Sequence, residues 1–173
     1  MKNLGLRSPC DTVAGLVYFG RMVDQIRAHA KGQLPPDYQA SLGKGLDEHC
    51  LDFLGVSYEL VVEYVNSGLS DEAILQSCFG MGHRPSKGEI YMWNEFMFKR
   101  GWHDEASGTL KQMKREEGLT ARSEIETIFQ LIDAAEGRAP HINHYDGSRL
   151  NQIALAVNGC RHEPSSQLGS ATR

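Results

Sequence analysis

The punctuation of this chain constrains its fold more than its composition does. Ser86-x-x-Glu89 and Ser123-x-x-Glu126 have the spacing of capping boxes, in which a serine side chain and a glutamate side chain answer the free N–H groups of a helix start. Ser8 is followed by Pro9 and Asp11, which suits a cap, a first helical position and a first-turn acid. Ser57 and Ser70 are further candidate caps. Gly32, Gly55, Gly68, Gly101, Gly118 and Gly137 each close a stretch of 3.6-residue periodicity, where a left-handed residue ends a helix cheaply. These marks predict helices over 9–31, 46–54, 58–67, 71–79, 87–100, 107–117, 124–136 and 147–157. No segment alternates as a half-buried strand does. The expected fold is all-α: a compact single-domain bundle of about seven or eight helices over residues 1–157, with residues 158–173 as a flexible C-terminal tail.

Composition narrows the class. At 173 residues the chain suits one domain with a core of its own. The formal net charge of −4 speaks against a nucleic-acid partner, which needs a concentrated basic face. No apolar run approaches the roughly 18 residues of a membrane span, and the opening residues lack the apolar stretch of a secretory signal. Cys10, Cys50, Cys78 and Cys160 are scattered, with no C-x-x-C, so free thiols in a reducing cytoplasm are expected and a zinc site is not. No P-loop, G-x-G-x-x-G or nucleophile motif is present. The glycine-rich run Gly80–Arg84 reads as a connecting turn, and 32–45, with its prolines and glycines, as a surface loop.

The informative residues are polar ones on apolar faces. On the first segment Val13, Leu16, Val17, Gly20, Val23 and Ala30 form an apolar stripe, with Asp24 and Arg27 inside it. Unpaired charges are costly there, so these two are expected to pair with each other or with a neighbouring helix. Gly15 and Gly20 weaken a helix by about 1 kcal/mol each, a loss that makes sense where something packs close. The 87–100 helix is apolar almost all round and is expected at the bundle centre, with Asn94 tying down a loop. On 124–136, Glu136 lies in line with an apolar stripe and Asp133 at its edge. Two acids at a helix end oppose its dipole, which calls for an arginine partner, Arg27 or Arg7, or else for metal or acid–base work. His141 and His144 have metal-compatible spacing in an irregular segment, which is a weak signal.

Leu6 to Ala28, LRSPCDTVAGLVYFGRMVDQIRA, resembles the opening of an uncharacterised bacterial family catalogued only as a domain of unknown function. Further matches run in order through Leu46-Asp47, Phe53–Gly55, the Asn94 helix, the Arg100-Gly101-Trp102 run with Asp104, and Ile125–Arg138. The resemblance carries no activity. It implies that Arg7, Arg21, Asp24, Arg27, Asn94, Asp133, Glu136 and Arg138 are the recurring polar positions. Gln25 departs from it where a lysine is usual, and Ala135 where a second acid is common. Together these readings lead to a cytosolic binding or regulatory module without cofactor or catalytic motif, whose small-molecule or protein partner is unspecified. The alternative is a small enzyme or anionic-ligand binder with an arginine/carboxylate cleft. Asp24 and Arg27 are expected in one polar cluster with Asp133, Glu136 or Arg138.

Overall fold

A computed structural model describes residues 5–139. The segment 147–157, the tail, the HINH histidines and Cys160 lie outside the described residues. Within them the order is β1 (Thr12–Val13), β2 (Leu16–Val17), α1 (Phe19–Ala30), α2 (Pro36–Gln39), α3 (Leu46–Leu54), α4 (Tyr58–Asn66), α5 (Asp71–Met81), α6 (Lys87–Lys99), α7 (Ser107–Glu116) and α8 (Ile128–Ala135). The protein is mostly helical, and its strands are two residues long.

The first predicted helix is the main correction: residues 12–17 form a hairpin, and α1 begins only at Phe19. Thr12 pairs with Val17 and Val13 with Leu16, antiparallel, around Ala14 and Gly15. Both turn residues have positive φ, 47° and 84°, the geometry that matches a two-residue turn to the strand twist. Val13, Leu16 and Val17 are buried, as a helical stripe would be. A tight hairpin sets the paired residues i and i+3 on one face just as a helix does, and Val17 is buried on the other face, so the burial pattern alone did not separate the two. Tyr18, at φ 72°, joins hairpin to helix in a conformation that L side chains seldom take. Gly15 therefore serves the turn. Gly20 serves packing, because a Cβ there would meet the Arg7 guanidinium at 2.8 Å.

Most of the punctuation is as the sequence predicts. Ser57, Ser70 and Ser86 cap α4, α5 and α6, and Ser86 forms its box with Glu89. All six predicted C-terminal glycines have positive φ. The Ser123–Glu126 box is replaced by Thr127 and Gln130, so α8 starts later than expected. The Ile128 N–H donates to the Arg100 carbonyl at 2.9 Å and fixes that start on the end of α6. The predicted loop over 32–45 contains the single turn α2, and its Leu34 is buried.

The larger core packs hairpin, α1, α3, α4 and α5 side chains with Trp93, Met97 and Phe129; a smaller one gathers Leu110, Ile125, Ile128 and Leu131. Helix α6 does not run through the centre. It buries Trp93 and Met97 but exposes Tyr91, Met92 and Phe96. Trp93 stacks on Phe53, ring centroids 4.7 Å apart, and donates from its indole to the Val17 carbonyl at 3.3 Å. Full burial of such a side chain contributes about 1.5–3 kcal/mol, so one face of α6 suffices to hold it.

Candidate functional site

Eight polar residues were singled out by sequence, and seven of them fall into two charge clusters. In the first, the Arg7 guanidinium donates to both Asp24 oxygens at 2.7 and 2.8 Å, and to the Gly20 carbonyl at 2.8 Å. Arg7 also meets Asp71 at 2.6 Å, and Arg27 meets the other oxygen of Asp71 at 2.6 Å. Asp24 and Arg27 are 3.8 Å apart. This cluster is partly exposed, and carboxylates on both sides raise the Arg7 pKa.

The second cluster is deeper. Arg21, from α1, donates to the two Glu136 oxygens at 2.5 and 3.1 Å, and both side chains are 2% exposed. Arg138 donates to Glu136 at 2.5 Å and to Asp133 at 2.6 Å. Ser8 donates to the other Asp133 oxygen at 2.9 Å. Burial works to raise the Glu136 pKa, but the hydrogen bonds and charges of Arg21 and Arg138 outweigh it and hold the carboxyl below its usual range.

Asp24 and Arg27 thus do not share side-chain contacts with the 133–138 group. The link is the backbone of residues 6 and 7: the Leu6 carbonyl accepts from Arg138 at 3.2 Å and the Arg7 carbonyl from Arg21 at 2.8 Å. The arginine answering the α8 acids is Arg21, rather than Arg27 or Arg7. Asn94 stands apart and pins the hairpin. Its amide donates to the Gly15 carbonyl at 2.8 Å, and its oxygen accepts from the Val17 N–H at 3.2 Å. Among the described residues no three His, Cys, Asp or Glu side chains gather as a metal ion requires.

Beside the second cluster opens a cleft of about 670 Å³, bordered by α1, α2, α3, α7 and α8. Arg21 and Gln25, four residues apart on α1, and Tyr18 just before it line the cleft. Leu131, Ile132 and Ala135 of α8 line it as well. The Tyr38 hydroxyl donates to Glu136 at 3.0 Å, and burial followed by the charge of Glu136 pushes its pKa up to about 12. The Tyr18 hydroxyl donates to the buried Asp47 at 2.7 Å. Burial raises the Asp47 pKa despite that bond and one from the Gly43 N–H. Arg100, also bordering the cleft, is held by Asp104 at 3.1 Å and Glu105 at 2.8 Å.

Sequence reasoning passed over Tyr18, Tyr38 and Asp71, and met Asp47 and Arg100 only as matching positions of the resemblance, with no site role. Asp47 and Asp71 occupy first turns of helices, where an acid reads as a partner of the helix dipole and nothing more. Tyr38 lies in the segment predicted as loop.

Neither the curated proteins nor the solved structures contain a match to this chain. Residues 3–138 match the family described as Domain of unknown function (DUF5069), a span that takes in both charge clusters and the cleft. The chain belongs to that family.

Proposed function

We propose that the protein is a binding module for a small molecule held in the cleft between α1, α2, α3, α7 and α8. One observation carries this reading. A cleft of about 670 Å³, within the size range of ligand sites, is lined both by a buried ion pair organised in advance, Arg21–Glu136, and by the apolar Leu131, Ile132 and Ala135. Binding without covalent chemistry is supported by the state of the available nucleophiles. Burial pushes the Cys10 thiol up to about 12 and holds Cys50 and the Tyr18 hydroxyl protonated at neutral pH. An anionic ligand is less well served, since Arg21 and Arg100 already hold carboxylates. A cytoplasmic location is supported by Cys10, Cys50 and Cys78 standing as free thiols. No helix among the described residues is long and apolar enough to cross a membrane. The net charge of −4 favours a small-molecule partner over nucleic acid.

The test is a thermal-shift screen of a metabolite panel against the full chain and against Ala135→Trp, which fills the cleft from α8. A ligand of the cleft raises the Tm of the wild type and not of the variant. A panel without effect, or a shift that survives the tryptophan, overturns the reading.

A further inference from the structure

Gln25 is a buried polar side chain of the cleft that the fold leaves unanswered. It is 6% exposed and lines the cleft wall beside Arg21. Its carboxamide has no hydrogen-bond partner among the described residues, and its atoms are not sealed from the cleft. A buried carboxamide gives up hydrogen bonds to water and the rotamer freedom of a long side chain, and regains neither by packing alone. A leucine or methionine would fill the same space. Gln25 is therefore poised toward whatever enters.

Its surroundings say what that is. Arg21, one turn away on α1, is spoken for: it spends both terminal nitrogens on Glu136, and the Tyr38 hydroxyl donates to Glu136 as well. Arg100 is held by Asp104 and Glu105. An ionised ligand set against Gln25 and Arg21 would have to compete with the Arg21–Glu136 pair. A carboxamide offers an N–H donor and a carbonyl acceptor side by side, which complements a planar edge carrying the same pair. Arg21, fixed by Glu136 and the Arg7 carbonyl, keeps the neighbouring wall rigid.

Resting on the reading of the cleft as a small-molecule site, we propose that its ligand is uncharged and carries a planar donor–acceptor edge. A primary carboxamide, a lactam or a pyrimidine-like ring has such an edge, and Gln25 pairs with it. Leu131 and Ile132 supply the apolar surface for the rest of the molecule.

The full chain, labelled with nitrogen-15, is titrated with uracil and nicotinamide as uncharged probes and with benzoate as an anion of similar size. The readout is the side-chain NH₂ signal of Gln25, identified by its loss in the near-isosteric Gln25→Met. Uracil or nicotinamide is expected to move that signal saturably, with benzoate at least tenfold weaker. Gln25→Met should weaken binding of the uncharged probe at least tenfold while keeping the Tm. Should the variant fail to fold, the Gln25 signal is assigned through its backbone in a nitrogen-15/carbon-13-labelled sample, and the wild-type titration decides alone. Cleft signals that follow benzoate while the Gln25 signal stays still overturn this assignment and leave the binding reading standing. A Gln25 signal that none of the three moves also overturns it; the parent reading falls only if the metabolite screen is silent too.

Discussion

Arg21 and Glu136, 115 positions apart in the chain, meet as a bidentate pair with both side chains 2% exposed. A pair so placed stabilises little against an apolar substitute, but losing one member strands the other without water. Glu136→Ala should therefore cost about 3–5 kcal/mol in chemical denaturation, whereas Arg21→Met combined with Glu136→Leu should recover at least half of that. Equal losses in the single and double variants would show that the charge is not the issue.

The same carboxyl sets a pH dependence. Its folded pKa lies below the unfolded value of roughly 4.3. Its contribution is thus fully present above the unfolded pKa and is lost as pH falls through the folded one. Denaturant midpoints should drop between neutral pH and pH 3, and the drop should be smaller in the Arg21→Met, Glu136→Leu variant. Parallel curves would contradict this.

Asp24 belongs to a shallower arrangement. Arg7 keeps Asp71 when Asp24 is gone, and both Arg7 and Asp24 reach solvent. Asp24→Ala should cost about 1–2 kcal/mol, clearly less than Glu136→Ala, because charged hydrogen bonds are lost but no sealed charge is left behind. The loss should shrink in 1 M salt. A cost equal to that of Glu136→Ala would show that the cluster is drier than its exposure indicates.

Asn94 makes two bonds to the hairpin. Asn94→Ala should cost about 1–3 kcal/mol. It should also speed hydrogen exchange at the Val17 amide far more than in α4, which it does not touch. Uniform loss of protection would mean that the hairpin does not open by itself.

Two glycines of the 80–84 run should behave in opposite ways. A Cβ on Gly82 would lie 2.2 Å from the Leu54 carbonyl oxygen, whereas Gly80, inside α5, has nothing within 4 Å of that position. Gly82→Ala should destabilise by at least about 1–3 kcal/mol. Gly80→Ala should stabilise by up to about 1 kcal/mol through helix propensity. Thermal melts of the two variants check both signs.

The contrast between these elements shows what was legible in the sequence. Caps and terminal glycines act within four residues of themselves, so Ser86, Ser70 and Gly55 could be read directly. The hairpin was hidden because both of its faces are buried at Leu16 and Val17, so no alternation marks the strands, while Val13, Leu16 and Val17 fit a helical stripe; the positive φ of Ala14 and Gly15 is what separates the two. The need for arginine beside Glu136 followed from the helix dipole, but which arginine answered depended on where α1 begins. Starting α1 at Phe19 instead of residue 9 leaves Arg21 in its first turn, facing α8. The cleft was out of reach, since its walls come from five helices and Tyr38 lies in a segment read as loop.

The Arg21–Glu136 pair also orders events during synthesis. Arg21 leaves the ribosome early, and its partner follows 115 residues later. At about 5–20 residues per second, that is a wait of roughly 6–23 s. Over that interval α1 cannot settle with Arg21 enclosed, because the guanidinium would be dry and unanswered. The final packing of the N-terminal segment is therefore deferred until α8 emerges, and a nascent chain stopped short of residue 136 holds its first helix in a wetter arrangement than the finished protein does.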